Sequence, residues 1–357
     1  LSEQGAGYAF GILIAAFGVG CVIGGFLQDK HGPRCAGLWG TALLCGGFFA
    51  AAMLPGGSAG TFFLAFSIPA GLGTAFLYPS IQSCAQKWYA GRKGLATGVI
   101  GGAVGLSGAF LTVFVRTAVN GFWIVQGIRG AFWALGAITL PICLVGSLLL
   151  QDPPESAQKQ QGSGKNALDL SPWQMLKTRQ YWLCAGAVCF STPAVLLFSP
   201  IILKLGMERG LDETAALWSI VLGSVGSAAG RMLMPMLSDH IGRRATDLGL
   251  FAASLGLSAA FWAAQGWWVV VCYAGLTFCY SALAAVLPAL STDLFGLPHA
   301  GVNYGFLALG QSVGSLAFPF AANLLALENG RHLLAMAGAA AGFAAIWALH
   351  PVQKDPR

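Results

Sequence analysis

The chain has 357 residues, of which 56% are hydrophobic and only 9% are charged, and its formal net charge is +6. A soluble globular domain carries about 25% charged residues, so this composition excludes that class of protein. The apolar residues fall in runs of about 20, which is the length of helix that crosses a bilayer. The 50 glycines are typical of membrane helices that pack closely. The sequence therefore predicts an all-α membrane protein with many spans.

The basic residues lie in the loops between apolar runs, so their excess indicates orientation in a membrane and gives no reason to expect a nucleic acid partner. The nine cysteines lie mostly within the apolar runs, without a CxxC pair or an accompanying histidine cluster. We interpret them as small buried apolar side chains. We therefore expect no disulfide, no metal and no cofactor.

The apolar runs predict eleven spans on either side of a polar linker. Five spans in residues 1–150 form an N-terminal bundle and cover residues 7–27, 36–54, 61–83, 95–119 and 130–150. In the linker, residues 151–180, Ser171 and Pro172 predict the N-cap and first-turn proline of a short interfacial helix over 173–178. Six spans in residues 181–357 form a C-terminal bundle and cover residues 181–203, 215–237, 247–264, 268–290, 304–325 and 333–349.

A charged turn occurs once in each half of the chain. Asp29-Lys-His-Gly-Pro-Arg34 recurs as Asp239-His-Ile-Gly-Arg-Arg244, 210 residues later. The turn follows the first span of the first half but the second span of the second half. We therefore expect an opening helix before this sequence, and a parent protein of two six-helix halves.

The distribution of lysine and arginine predicts the orientation. The side of the membrane that holds both charged turns, the 86–93 loop, the linker and the C-terminus carries thirteen of these residues, whereas the opposite side carries five. The first side is therefore expected to face the cytoplasm. We expect a multi-pass protein of the plasma membrane or the bacterial inner membrane.

Two six-helix halves, a polar central linker and a D-x-x-G-x-R turn in each half resemble the major facilitator superfamily. Within it, three segments are similar to the oxalate/formate antiporter family and its monocarboxylate transporter relatives. These segments are Tyr78 with Lys87-Trp88-Tyr89 and residues 92–98, then residues 171–178, then Leu294-Phe295-Gly296 with Asn303-Tyr304-Gly305. The resemblance implies the two-bundle facilitator fold and transport by alternating access.

The resemblance also implies which residues bind the substrate. Oxalate carriers of this family are thought to clamp a dicarboxylate between two cations, and Arg231 matches the arginine. The lysine position is Gln311 here, and an amide supplies only neutral hydrogen bonds, so one carboxylate suits this chain better than two. Monocarboxylate transporters carry an aspartate one turn before the arginine, where this chain has Ser227.

Four side chains from four spans lie at a similar predicted depth. Arg231 precedes Asp239 by eight residues, or about 12 Å of helix rise, and Gln311, Tyr78 and Tyr280 lie at comparable distances from the same side. We expect Arg231 to bind a carboxylate, Gln311 and Tyr78 to donate hydrogen bonds, and Tyr280 to supply an aromatic wall.

Other interpretations stay open for each of these residues. Arg231 can instead snorkel to the interface, or pair with a carboxylate in the helix expected before this sequence. Gln311 can serve an interhelical hydrogen bond, and the two tyrosines can simply pack. A substrate role for Arg231 is favoured because no carboxylate lies in the middle of any span, and an uncompensated buried cation favours an anionic ligand.

The charged turns predict a gate. Asp29 with Arg34, and Asp239 with Arg243, lie at helix junctions where an aspartate can contact a helix N-terminus or an arginine. Such contacts would hold one conformation and be released in the other. Solubility and orientation explain the basic residues of these turns but not the repeated aspartate and glycine.

These observations favour a secondary carrier that exchanges small carboxylates such as formate, oxalate, lactate or pyruvate, in the lipid bilayer and as a monomer. A proton-coupled monocarboxylate symporter is the alternative, weakened by Ser227 and by the lack of carboxylates within the spans. A nontransporting membrane sensor is a more remote alternative. An enzyme is not expected, because no nucleophile, metal ligand set or carboxylate pair lies at depth.

Overall fold

The computed structural model describes residues 3–54, 59–120, 127–154, 169–325 and 329–350. The regular secondary structure of these residues is helical. Most of the polar linker, residues 155–168, and the predicted C-terminal tail from residue 351 lie outside the described residues.

Five long helices form the first half. They are α1 (Glu3–His31), α2 (Pro33–Met53), α3 (Ala59–Trp88), α4 (Lys93–Asn120) and α5 (Gly127–Leu149). Helix α3 contains a π-helical stretch, Phe63–Ser67, before its proline at position 69. Each helix coincides with one of the five predicted spans to within one residue at the end of the span.

The linker ends in the predicted short helix, α6 (Pro172–Met175). Its N-cap is a capping box, in which Gln174 N donates to Ser171 Oγ at 3.4 Å and Ser171 N donates to Gln174 Oε1 at 2.9 Å.

The following span differs from the prediction. Instead of one helix over 181–203, the chain forms α7 (Arg179–Ser191), α8 (Pro193–Leu196) and α9 (Ile202–Glu208), because Pro193 and Pro200, one at each break, cannot donate a backbone hydrogen bond.

The remaining spans are long helices. They are α10 (Glu213–Ile241), α11 (Arg243–Ala263), α12 (Trp267–Phe295), α13 (Ala300–Leu325) and α14 (Gly330–Trp347). Within the described residues, eight helices are long and apolar enough to cross a membrane. The three predicted spans outside that set are those in α4, in α7–α9 and in α14.

Both charged turns require a glycine because of their backbone conformation. Gly32 separates α1 from α2 with φ of 84°, and Gly242 separates α10 from α11 with φ of 91°. A side chain is strained in this left-handed region, whereas glycine is not. The repeated D-x-x-G-x-R sequence therefore encodes one tight helix–helix corner twice.

The helices pack as two bundles whose most extensive contacts lie along two helix pairs. In the first bundle α3 packs on α1 and α2, and in the second α12 packs on α10 and α11. The bundles meet where α1 lies against α13 and where α4 lies against α10. Small residues allow this approach, since a Cβ added to Gly305 would lie 2.5 Å from the Cys21 carbonyl oxygen. A site between the bundles is therefore flanked by these two helix pairs.

Candidate functional site

Arg231 lies on α10 where this helix faces α4 of the other bundle. Its side chain is half-buried, and Nε donates to Ser227 Oγ at 3.4 Å. Ser227 in turn lies 2.7 Å from the hydroxyl of Ser281 on α12. The backbone of Arg231 packs closely on Gly101 of α4. Among residues 3–54, 59–120, 127–154, 169–325 and 329–350, no carboxylate forms a salt bridge with Arg231.

Tyr280 and Gln311 join Arg231 from two further helices. Gln311 Nε2, on α13, donates to the Tyr280 hydroxyl of α12 at 2.7 Å. Tyr280 is 9% exposed and lies close enough to Arg231 for electrostatic interaction. The structure thus brings together three of the four predicted binding residues.

Tyr78, the fourth, reaches this group through a residue that the sequence analysis did not assign to the site. Its ring lies 6.2 Å from that of Tyr304 on α13, and Tyr304 is buried. Tyr304 interacts electrostatically with Tyr78, Arg231 and Tyr280. It belongs to the Asn303-Tyr304-Gly305 segment of the family resemblance, and that segment was the available signal for it.

Gln82 is a second residue that the sequence analysis did not include. It lies one turn after Tyr78 on α3, and its Nε2 donates to the Tyr78 hydroxyl at 3.0 Å. Gln82 is 2% exposed, and its Oε1 is buried without a hydrogen-bond partner in the part of the chain that the structure describes. The signal available in the sequence was a glutamine within an apolar run.

Asp247 is the third addition. The sequence analysis treated it as the boundary of a span, but α11 begins at Arg243 and Asp247 lies inside the helix with 4% exposure. It lines a cavity of about 20 Å³ together with Tyr280 and Gln311. A titratable group therefore lines the same cavity as two of the predicted binding residues.

The predicted gate residues of the second half form contacts between the bundles. Gly94 N, near the start of α4, donates to Asp239 Oδ1 at 3.2 Å. Arg243 binds Asp239 and also donates from Nε to Asp293 Oδ2 at 3.2 Å. Lys93 Nζ lies 2.9 Å from Asp293 Oδ1. Lys93, Asp239, Arg243 and Asp293 thus form a charged cluster that joins α4 to the C-terminal bundle.

The first-half turn makes fewer such contacts. Asp29 lies close to the backbone N–H of Val302, near the start of α13, and its Oδ2 lies 3.9 Å from His299 Nδ1. Arg34 has no hydrogen bond or salt bridge within the described residues, and it lines an open surface groove with His31 and Trp39. The aspartate therefore lies against the other bundle in both halves, but only the second turn adds an arginine, Arg243, to the contact.

Within the same described ranges, no group of three histidine, cysteine, aspartate or glutamate side chains could hold a metal ion. All nine cysteines are free. The candidate site thus brings together one cation, three tyrosines, two glutamines and two serines.

Comparison with known proteins places these features in a family. A sequence model described as Major Facilitator Superfamily matches residues 1–319. The chain is 23% identical over 296 residues to the oxalate:formate antiporter of Oxalobacter formigenes, covering 82% of this chain and 69% of that protein. It is 26% identical over 319 residues to monocarboxylate transporter 13 of Rattus norvegicus, covering 86% and 70%.

Solved structures agree on the fold. The crystal structure of the Escherichia coli fucose:proton symporter FucP matches with a TM-score of 0.70 at 15% identity, covering 97% of this chain and 92% of that one. At this identity the similarity concerns the fold and carries no information on the substrate.

Proposed function

The chain belongs to the major facilitator superfamily, and on that premise we propose that it exchanges small organic carboxylate anions across a membrane by alternating access. The observation that carries the proposal is Arg231. Its guanidinium lies between the bundles with a weak contact to a serine and without a carboxylate partner in the described ranges. A cation held in a low-dielectric site without a counter-charge attracts an anion.

Two tyrosine hydroxyls support a carboxylate as the ligand. Each hydroxyl accepts a hydrogen bond from a glutamine, Tyr280 from Gln311 and Tyr78 from Gln82. A tyrosine hydroxyl that already accepts a bond keeps its own proton free to donate. Both groups are therefore prepared as donors, and a carboxylate oxygen is an acceptor only.

The charge of the site favours one carboxylate over two. Arg231 supplies one positive charge, and Gln311 supplies none. A bidentate arginine–carboxylate pair satisfies one carboxylate, whereas a second would face neutral donors. Formate, lactate and pyruvate therefore suit the site better than oxalate, although the relative named an oxalate:formate antiporter supports exchange as the mode of transport.

The cluster of Lys93, Asp239, Arg243 and Asp293 supplies the gate. It joins the bundles at the end that carries both charged turns, so opening of that end requires these contacts to break. Asp29 and its contact with Val302 act at the α1–α13 pair. We propose that this end faces the cytoplasm, that Arg34 orients the corner by its charge, and that the protein works as a monomer in the cell membrane.

Counterflow in proteoliposomes tests the proposal. Vesicles that contain the purified protein are preloaded in turn with formate, oxalate, lactate and pyruvate, and uptake of the same labelled anion is followed. We expect exchange that a protonophore does not abolish. Arg231→Ala should weaken anion binding about 10- to 150-fold, because a hydrogen bond to a charged group contributes about 1.5–3 kcal/mol.

Arg331→Ala provides the matched control, since Arg331 is an exposed arginine at the start of α14. It should exchange like the wild type. If Arg231→Ala reaches the membrane and exchanges as fast and with the same affinity as Arg331→Ala, the carboxylate site is not at Arg231 and the proposal is wrong.

A further inference from the structure

Two serine hydroxyls meet across the α10–α12 helix pair, next to Arg231. Ser227 Oγ lies 2.7 Å from Ser281 Oγ, and it also accepts a hydrogen bond from Arg231 Nε at 3.4 Å. Ser281 is 2% exposed, so its hydroxyl is removed from bulk water. Within the described residues, Ser227 is its only hydrogen-bond partner. This serine pair, Ser227 and Ser281, therefore links a buried position of α12 to the guanidinium.

The packing of α10 on α12 has its own contacts, which do not involve the serine pair. A Cβ added to Gly226 would lie 2.5 Å from the Ala274 carbonyl oxygen, so the two backbones approach closely at this glycine. Thr277, one turn before Ser281, also donates across the helix pair, from Oγ1 to the carbonyl oxygen of Gly223 at 3.0 Å. The serine pair is therefore available for a role at the neighbouring arginine.

The serine pair decides which edge of the guanidinium is free. An arginine can offer a carboxylate two parallel N–H donors, either from Nε and one Nη group or from both Nη groups. Nε of Arg231 is occupied by Ser227. The two Nη groups form no hydrogen bond or salt bridge within the described residues. The free edge is therefore the one that Nη1 and Nη2 form together.

Ser227 by itself does not define this arrangement. A serine side chain can occupy several staggered positions about its Cα–Cβ bond, and Ser227 is only half-buried. Its bond to Ser281 selects one of these positions, whichever hydroxyl donates, because each can both donate and accept. The oxygen that receives Arg231 Nε is thus held in place by a buried side chain of a second helix.

We propose that Ser281 is a positioning residue, which acts through Ser227 to fix the guanidinium of Arg231 so that both Nη groups bind the two oxygens of one carboxylate. This proposal rests on the proposed carboxylate site and adds to it the geometry in which the anion is held. A monatomic anion such as chloride gains less from a fixed guanidinium, because it has no second atom to accept the second parallel bond. Ser281 therefore raises the preference of the site for a carboxylate over chloride.

Competition between formate and chloride tests the proposal. Each unlabelled anion is titrated against labelled formate in counterflow by wild type, Ser281→Ala, Ser281→Cys and Ser281→Thr. If formate is not carried, the labelled and competing carboxylate is the one of oxalate, lactate and pyruvate that the wild type exchanges fastest. For the alanine and cysteine variants, we expect the inhibition constant of the carboxylate to rise about 2- to 10-fold. That of chloride and the maximal rate should stay within about twofold of wild type.

The cysteine and threonine variants separate the hydrogen bond from packing. Cysteine resembles serine in shape but is a weak hydrogen-bonding group, whereas threonine keeps the hydroxyl and adds a methyl group. Loss of the hydrogen bond predicts a wild-type ratio of the two inhibition constants for Ser281→Thr and a changed ratio for Ser281→Cys. The opposite order would show that Ser281 acts by packing alone, and the proposal would be wrong.

Thr277→Val is the matched control. Thr277 donates across the same helix pair one turn away, but its hydroxyl bonds to backbone carbonyls and not to Arg231 or Ser227. The ratio of the two inhibition constants should be that of the wild type. If Thr277→Val lowers the preference for the carboxylate as much as Ser281→Ala does, the effect comes from the helix packing and the positioning role is refuted.

The remaining outcomes separate this proposal from the proposed function. Wild-type inhibition constants for Ser281→Ala and Ser281→Cys overturn the positioning role, while a loss of exchange in Arg231→Ala keeps the carboxylate site. A wild type that exchanges none of the four anions ends both. If the Ser281 variants do not reach the membrane, Ser227→Ala replaces them, because it removes the acceptor of Arg231 Nε directly. A lowered preference for the carboxylate in Ser227→Ala supports the proposal, and the wild-type preference refutes it.

Discussion

A single substitution should reverse the preference of the proposed site for anions with one carboxylate over anions with two. Gln311 Nε2 lies 2.7 Å from the Tyr280 hydroxyl, and Tyr280 lies beside Arg231. A lysine at position 311 reaches one bond further than glutamine and places a second cation on the same side of the site. Gln311→Lys should therefore create a clamp for a dicarboxylate.

The magnitude follows from the bond that is gained. An ammonium that binds a second carboxylate adds about 1.5–3 kcal/mol, which corresponds to a preference for oxalate over formate that rises about 10- to 150-fold. The ammonium of the lysine can also donate a hydrogen bond to the Tyr280 hydroxyl in place of the glutamine amide. This hydrogen bond is lost only if the lysine side chain turns away from Tyr280. Binding of formate should therefore change less than binding of oxalate.

Competition in the counterflow assay measures this preference. Unlabelled oxalate and formate are titrated against labelled formate for the wild type, Gln311→Lys and Gln311→Met. Methionine has a similar length but no charge or amide, so it should weaken both anions without favouring oxalate. An active Gln311→Lys with the wild-type ratio of the two inhibition constants would refute the assignment of Gln311 to the site.

Two further predictions follow from the contacts of the site and the gate. Tyr280→Phe and Tyr78→Phe each remove a hydroxyl that is free to donate, so each should raise the anion concentration for half-maximal counterflow about 10-fold or more. An unchanged value for either variant would remove that residue from the site. Asp293→Asn removes partners from Lys93 and Arg243, and because Asp293 is 40% exposed the loss is only about 0.2–1 kcal/mol. It should shift the protein about 1.5- to 5-fold toward the state open at the charged turns, as measured by distances between spin labels in a cysteine-free background, and an unchanged distance distribution would contradict the gate.

The predicted spans illustrate what local sequence information determines. Ten of the eleven apolar runs coincide with a single long helix, because in a bilayer each backbone group must find its partner within the helix. The run at 181–203 is the exception, since its composition resembles the others while Pro193 and the residues after it break the helix into three. Hydropathy reports the length of an apolar run but not whether that run forms one continuous helix.

The residues of the candidate site were only partly predictable. Arg231 and Gln311 stood out because a polar group in an apolar helix is costly, and the family resemblance gave them roles. Tyr304, Gln82 and Asp247 were not assigned. Their significance depends on neighbours from other helices: the Tyr78 ring for Tyr304, the Tyr78 hydroxyl for Gln82, and the shared cavity for Asp247.

The sequence by itself determined the membrane class, the helical fold and the two glycine corners, because hydropathy over one span and the φ of one residue are local properties. Only the tertiary structure decided which side chains meet. The repeat makes Arg34 and Arg244 equivalent in sequence, yet Arg244 donates to the backbone carbonyls of Ile346 and Trp347 whereas Arg34 faces an open groove. Such differences depend on the packing of α11 and α14 against each other, which brings together residues more than a hundred positions apart.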